Sequence, residues 1–261
     1  MRTKLSPALN GVEMHALDPT IVVRGVQEAS PAWKIDTGSK GEGVGLFINR
    51  VEKQSRSVTI TFGIFARDPL KRSQVLQAVA AWAAPGGILT TDYRDGQWLR
   101  VICTQLPNVD NIREWTEDFQ VTFTAYQIPY WSSTEKTQIT IAAGTSGTAT
   151  MNLKETAGGK LCAIVANNSG SSLASLGVFA NGKRIALTGM SVASGSSIVL
   201  DYDDNDIQRI RKITGSTASS YLAYRTTDSD DYVPLEYGAN TIIVSSSVAV
   251  SWTIYTYGRW Q

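Results

Sequence analysis

The stretch Leu235–Gln261 constrains the fold more than any other part of the chain. Val248, Val250, Trp252 and Ile254 recur at every second residue, with Ala249, Ser251 and Thr253 between them. A period of two is the signature of a strand with one face in a core, because successive side chains point to opposite sides of the backbone. The Gly238-Ala-Asn240 turn and the Ser245-Ser-Ser247 break predict that Thr241–Val244 folds back as a hairpin. The reading is of a sheet that pins this end of the chain.

With 261 residues, and domains of about 100 to 200, one large or two ordinary domains are expected. The composition is that of a soluble globular protein, 43% hydrophobic and 18% charged, with material for a core in each half. The 24 basic and 23 acidic residues leave a net charge of +1, so no sequence-wide field would hold nucleic acid or anionic lipid. The two cysteines, Cys103 and Cys162, fall in different halves and read as buried free thiols rather than a disulfide framework. No apolar run approaches the roughly 18 to 20 residues of a membrane span. Arg2 and Lys4 are followed by no apolar core, so neither membrane insertion nor a secretory signal is expected, and synthesis in a cytoplasm is.

Along the chain, residues 1–20 read as irregular and Thr20–Val26 as a first strand. The glycines Gly38, Gly41, Gly43 and Gly45 resemble a phosphate loop, but no Lys-Ser/Thr pair or helix follows, so a hairpin or loop is expected. Gly45–Arg50 follows, then Ser57–Phe65, which alternates Val58, Ile60, Phe62 and Ile64 as a strand. Asp68-Pro69 caps a helix to about Ala84, with Leu70, Val75, Leu76, Val79 and Trp82 on its apolar side and Pro85-Gly86-Gly87 ending it. Ile88–Tyr93, an Arg94-Asp95-Gly96 turn and Trp98–Leu106 read as a hairpin. After a turn at Asn108–Asn111, Trp115–Tyr126 alternates Phe119, Val121 and Phe123. Ser132–Gly147 is rich in small polar residues and marks the change of domain, with a boundary near Trp131–Lys136 and Gln138–Ala142 as an alternative first strand. Beyond it, short strands are expected at 149–153, 161–167, 177–180, 184–188, 197–202, 207–213, 221–224, 240–244 and 249–257, with an Asn181-Gly182 hairpin. Many short strands without a helix argue for an antiparallel β-sandwich.

Catalytic constellations are missing. The lone histidine, His15, excludes a His-dependent triad and a multi-histidine metal site within one chain, and two distant cysteines exclude a structural zinc. Asp201, Asp203 and Asn205 have the first spacings of a calcium loop, but Asp206 and Lys212 stand where Gly and Glu are required, so a solvated turn is expected. Glu114, Glu117, Asp228, Asp230 and Asp231 read as surface charge rather than as a catalytic carboxylate pair. No enzyme, cofactor or metal is expected. The aromatics Tyr221, Tyr224, Tyr232, Tyr237, Trp252, Tyr255, Tyr257 and Trp260 crowd the last part of the chain. Alternation assigns Trp252 to the core and leaves Tyr255, Tyr257 and Trp260 as candidates for contact with a glycan or a partner.

From about Arg50 onward the chain resembles the distal tail proteins (Dit) of siphophages and prophage tail components. The likeness rests on the order Arg56-Ser-Val-Thr-Ile, the helix Lys71–Ala84, a short hairpin, and Phe119-Gln-Val-Thr-Phe-Thr-Ala-Tyr-Gln-Ile-Pro-Tyr-Trp131. It continues through Asn181-Gly, Ser197-Ile-Val-Leu-Asp201, Pro234-Leu-Glu-Tyr-Gly-Ala-Asn240 and the ending Trp252-Thr-Ile-Tyr-Thr-Tyr-Gly-Arg-Trp260. Pro234 stands four residues before the position at which the family carries its proline.

The resemblance implies a mainly β chain. A β-rich, ring-forming N-terminal domain with one α-helix (1–134) would be followed by a C-terminal galectin-like antiparallel β-sandwich (135–261). It implies a homohexameric hub ring in the virion tail, between the tail-tube protein and a tail-tip or tail-associated hub protein. Receptor-binding proteins would dock at the sides in many phages, and DNA would pass only as transient cargo. A near-neutral charge suits a channel that DNA must leave without sticking. The helix, the Ser57–Phe65 strand and the Asp95-Gly96 hairpin are the expected ring contacts. The alternative is a lectin-like module for cell-surface glycans, with Tyr255, Tyr257 and Trp260 at its binding surface.

Overall fold

The computed structural model describes residues 6–31, 33–39, 46–108, 118–126, 128–203 and 206–260. It divides into two compact units, Met1–Trp131 and Ser132–Gln261. The expected loop through Gly41, Gly43 and Gly45, and the residues Glu114, Glu117 and Asn205, lie outside the described residues.

The first unit opens with a hairpin of β1 (Ala8–Leu9) and β2 (Val12–Glu13), where the chain was expected to be irregular. Asn10 and Gly11 turn it with φ of 52° and 80°, the two left-handed residues that a two-residue hairpin requires. The strands β3 (Ile21–Glu28), β4 (Trp33–Ser39), β5 (Leu46–Lys53) and β6 (Arg56–Ile64) precede the helix α1 (Pro69–Ala83). After it come β7 (Gly87–Thr90), a 3₁₀ turn at Asp92–Arg94 in place of a longer strand, β8 (Gln97–Gln105) and β9 (Asp118–Ala125). The main antiparallel sheet runs β2-β1-β7-β8-β9-β6-β3, and β4 pairs with β5 alone.

The alternation read in the sequence is the core. Val58, Ile60 and Phe62 lie opposite Phe123, Val121 and Phe119 across β6 and β9, all buried. Each such side chain contributes on the order of 2 kcal/mol by leaving water. Onto this face α1 lays Val75, Leu76, Val79 and Ala83. Trp82 meets Phe123 edge-on at 5.9 Å and donates its Nε1–H to the Val12 carbonyl at 3.0 Å. Asp68 caps the helix, accepting from Leu70 N at 3.0 Å. Leu70 itself is 67% exposed, against expectation. The inward place in that first turn is taken by Arg72, two residues and about 200° further round the helix. The Arg72 guanidinium is buried and donates to the Ala66 carbonyl at 2.9 Å.

The second unit comprises β10 (Trp131–Leu153, whose first residue closes the first unit), β11 (Gly159–Lys160), β12 (Cys162–Asn167), β13 (Leu176–Ala180) and β14 (Lys183–Leu187). It continues with β15 (Ser196–Tyr202), β16 (Gln208–Thr214), β17 (Thr217–Ser220), β18 (Pro234–Leu235) and β19 (Gly238–Trp260). It is an antiparallel sandwich. Val165, Ile198, Leu200, Ile210, Trp252 and Ile254 share one core with Leu176, Val178, Ile185, Leu187, Ile242 and Val244.

Several local expectations are corrected. The Ser245–Ser247 break is no turn, and β19 is one strand of 23 residues. Its Ile243–Ser246 pair with β13, and its Ser251–Tyr255 pair with β12, so the serines mark the corner where the strand passes between the sheets. The Ser247 hydroxyl accepts from the N–H groups of Ala174 and Ser175 at 2.9 and 3.2 Å, which satisfies backbone where the ladder changes partner. The small-residue stretch Ser132–Gly147 belongs throughout to β10, which extends the alternative strand at Gln138–Ala142 in both directions, with Ile139 and Ile141 packed on the core. Tyr221–Tyr224 is not a strand: Leu222–Tyr224 is a 3₁₀ turn, and β17 precedes it. The Asn181-Gly182 hairpin forms as read, with φ of 49° and 74°.

Glycine is required at Gly158, where φ is +67° and a Cβ would overlap the Leu235 carbonyl. At Gly182 φ is +74° but the space is open. Gly158→Ala should therefore cost about 3 kcal/mol of stability and Gly182→Ala about 1 kcal/mol. Thermal unfolding of the two variants checks the order, and equal losses would contradict the packing described.

Candidate functional site

In the first unit the polar side chains converge on Glu28, the last residue of β3. Its Oε1 accepts from the Tyr93 hydroxyl at 2.7 Å and Arg94 Nε at 3.2 Å. Its Oε2 accepts from Arg94 Nη2 at 2.9 Å, Trp131 Nε1 at 3.0 Å and Arg56 Nη1 at 3.3 Å. The Arg94 guanidinium also lies 5.4 Å from the centre of a Trp131 ring. Arg56 is 2% exposed, so its charge is stripped of water and depends on this carboxylate. Burial alone would raise the Glu28 carboxyl. Hydrogen bonds from Arg94, Tyr93 and Trp131, with the charge of Arg94, outweigh that and hold it below the usual range. Burial pushes the Tyr93 hydroxyl up and the Arg56 guanidinium down. Nothing in the periodicity pointed to Glu28. Arg56 was visible only as a basic strand start.

This cluster anchors one end of an open sheet edge. Among the described residues β3 pairs only with β6, so its other edge bears no strand. A register shift between Val23 and Gly25 bulges Arg24 outward, where it pairs with Asp118 at 2.5 Å and lies 5.6 Å from the Phe65 ring centre. Val22 and Phe65 are exposed beside it. The Ser57–Phe65 strand, expected to make ring contacts, is β6 and lies inside the sheet between β3 and β9. At the other end of β3, Asp18 receives Lys71 Nζ at 2.6 Å, which ties the loop before the strand to α1. The hydrogen bond from Lys71, then those from the hydroxyl and N–H of Thr20, lower the Asp18 carboxyl to about 2.

In the second unit, Tyr255 and Tyr257 come together on one face of β19, edge to face at 6.1 Å. Tyr255 is buried, with Lys136 Nζ 5.2 Å from its ring centre, and Tyr257 is exposed. Trp260 is half-buried and falls on the opposite alternation of the strand. Asp203 and Asp206 lie in the expected turn between β15 and β16, where the Asp206 N–H donates to the Asp203 carbonyl at 2.9 Å, but the carboxylates of Asp201 and Asp206 are paired rather than solvated. Asp201 binds Arg209 at 3.2 Å and also Arg211, while Asp206 binds Lys160 at 2.7 Å and Arg259 at 2.6 Å. His15 pairs with Glu13 at 2.9 Å. The thiols of Cys103 and Cys162 are free, and burial raises that of Cys162 to about 12. Among the described residues no group of three His, Cys, Asp or Glu side chains could hold a metal ion, and no helix is long and apolar enough to cross a membrane.

No protein-family model matches the chain, and no curated protein matches it. Solved structures do. The SPP1 Dit protein (gp 19.1), a paradigm of the hub adsorption apparatus in phages infecting Gram-positive bacteria, superposes with a TM-score of 0.73. It shares 10% identity, over 99% of this chain and 100% of that one. A chain of the phage P2 baseplate in its calcium-activated conformation aligns over 98% of both chains, at 10% identity and a TM-score of 0.50. The chain has the β-rich Dit fold.

Two measurements test the Glu28 cluster. Glu28→Gln keeps the shape but leaves Arg56 and Arg94 without an anion, and should cost about 3 kcal/mol. Carboxylates depressed in the folded state add stability that is full above their unfolded values, about 3.9 for Asp and 4.3 for Glu. That stability is lost as pH falls through the folded values, so the first unit should weaken from about pH 4 downward, toward about 2 for Asp18. Tryptophan fluorescence against pH reads this, and Glu28→Gln should flatten the acid limb. An unchanged midpoint or an unchanged limb would contradict the assignment.

Proposed function

We propose that the chain is a structural, non-enzymatic subunit of a phage tail hub. Copies of it would assemble as a hexameric ring that joins the tail tube to the tail tip or baseplate. The single observation that carries this reading is the fold match to the SPP1 Dit protein, at a TM-score of 0.73 over the whole of both chains. The ring is formed by the first unit. A ring of identical subunits needs heterologous contacts that close by rotation, and an unpaired strand edge is a ready template for another chain. The open edge of β3, flanked by Val22 and Phe65, supports placing one contact there. The ring's centre is a channel for DNA in transit, and the second units dock further baseplate or receptor-binding proteins.

Negative-stain images of the purified chain, with light scattering for mass, test this. A six-fold ring with an open centre, at six times the 28.3 kDa of one chain, is the expected result. A monomer at every concentration, with and without tail-tube protein, would sink the reading. Val22→Lys places a charge on the open edge and should dissociate the ring with little change in subunit stability, because Val22 is exposed. A normal ring from that variant would move the contact away from β3.

A further inference from the structure

One corner of the second unit has the makings of a ligand site. In β19, Tyr257 and Arg259 are two residues apart and so face the same way. Between them and β18 runs β11, tied to β19 where the Thr256 hydroxyl donates to the Lys160 carbonyl at 2.8 Å. The Lys160 ammonium is 4.8 Å from the ring centres of both Tyr202 and Tyr232. It binds the Asp206 carboxylate at 2.7 Å and the Asp206 carbonyl at 3.2 Å, and the other carboxylate oxygen takes Arg259 Nη2 at 2.6 Å. The corner thus presents a fixed Lys160–Asp206–Arg259 hydrogen-bonding cluster between two exposed rings, Tyr257 at 48% and Tyr232 at 45%.

The rings are held in place. Tyr257 is braced edge-on by Tyr255, which is covered by Lys136, and Tyr232 rests on Lys160. Rigid, half-exposed tyrosines present an apolar face with little entropy left to lose on binding. Such rings can cover the C–H face of a pyranose while neighbouring charged groups bond its hydroxyls. Charge narrows the class. Among the described residues, Lys160 and Arg259 share the one carboxylate of Asp206, and Arg209 and Arg211 share that of Asp201, so each pair keeps one positive charge in excess and the corner favours an anion.

We infer that this corner binds a saccharide carrying a carboxylate or phosphate group, with Tyr257 and Tyr232 stacking on the sugar and Lys160 and Arg259 bonding its oxygens. The site does not depend on ring formation, because all its residues belong to one chain. The grouping differs from the one expected in the sequence. Tyr257 is kept, Tyr255 becomes its support, Trp260 plays no part, and Tyr232 is added.

The test uses the full-length chain on an array of neutral, uronate-bearing and phosphate-bearing oligosaccharides. The best binder is then titrated calorimetrically at low and high salt. Binding confined to anionic sugars and weakened by salt is expected. Tyr257→Ala and Tyr232→Ala should each lose at least tenfold in affinity, while Tyr257→Phe should bind like the parent and Tyr224→Ala, altered elsewhere, should have no effect. Failure to bind any sugar on the array would overturn the inference. So would binding to neutral sugars only, or affinity unchanged in both alanine variants. Thermal unfolding of each variant separates lost binding from lost fold, and the mass of the particle by light scattering is read independently.

Discussion

The carboxylate of Glu28 is the one group on which the first unit cannot compromise. Three stretches far from β3 in sequence end on it: Arg56 at the start of β6, the Tyr93–Arg94 turn and Trp131 at the end of the unit. Arg56 is as buried as the core leucines, and a guanidinium in that position is tolerable only against an anion. Exchanging the whole cluster for apolar residues need not weaken a fold, because buried ion pairs recover little beyond their desolvation cost. What the cluster supplies is position. Only one register of β3 on β6 puts Glu28 within reach of Arg56, and that register also puts Ile21 opposite Ile64 in the core. The apolar pattern and the charge pattern demand the same pairing, and that agreement singles out one arrangement.

Asp206 has the same part in the second unit, on a smaller scale. Through it Arg259, near the end of β19, is connected to Lys160 in β11, and through Lys160 to Tyr202 and Tyr232. Asp201 does likewise for Arg209 and Arg211 along β16. The outward face of this sheet is therefore covered by long cations laid against fixed carboxylates, and Cys162 and Tyr255 are buried beneath them. Near-equal numbers of acidic and basic residues, which look featureless as a total, are spent on particular pairs.

What could be read in the sequence was whatever depends on near neighbours. The alternation in β6, β9 and the second half of β19 named the core residues correctly, and Asp68-Pro69 named the start of α1. Asn181-Gly182 announced its hairpin, and Asn10-Gly11 carried the same signal in a stretch read as irregular. What could not be read was decided by distant partners. Three serines in a row favour a turn locally, yet β13 and β12 hold both sides of Ser245–Ser247 in one strand. Leu70 looks apolar and periodic, but Arg72 had a carbonyl to reach and took the inward side. The same limit explains the candidate site. Alternation on β19 is enough to pair Tyr255 with Tyr257 and to separate Trp260. Tyr232 comes from a loop with no period, and only the pairing of β11 with β18 brings it to Lys160.

The sheet edges are treated unequally, and the inequality bears on assembly. In the second unit the outer edge of β14 is closed by chain segments that are not strands. Ala186 N–H bonds the Ser229 hydroxyl at 2.9 Å, Arg184 N–H bonds Asp230 at 2.9 Å, and the Thr226 and Asp230 N–H groups return to β14 carbonyls. Asp230 is further held by Lys183 at 2.7 Å. On β3, among the described residues, the outer edge meets no strand along its eight residues, with a single bulge at Arg24 and an apolar Val22 exposed. That edge is fixed in register by Glu28 at one end and by the Asp18–Lys71 pair next to the other. In the proposed ring, an edge held in this way is where a neighbour's strand would add.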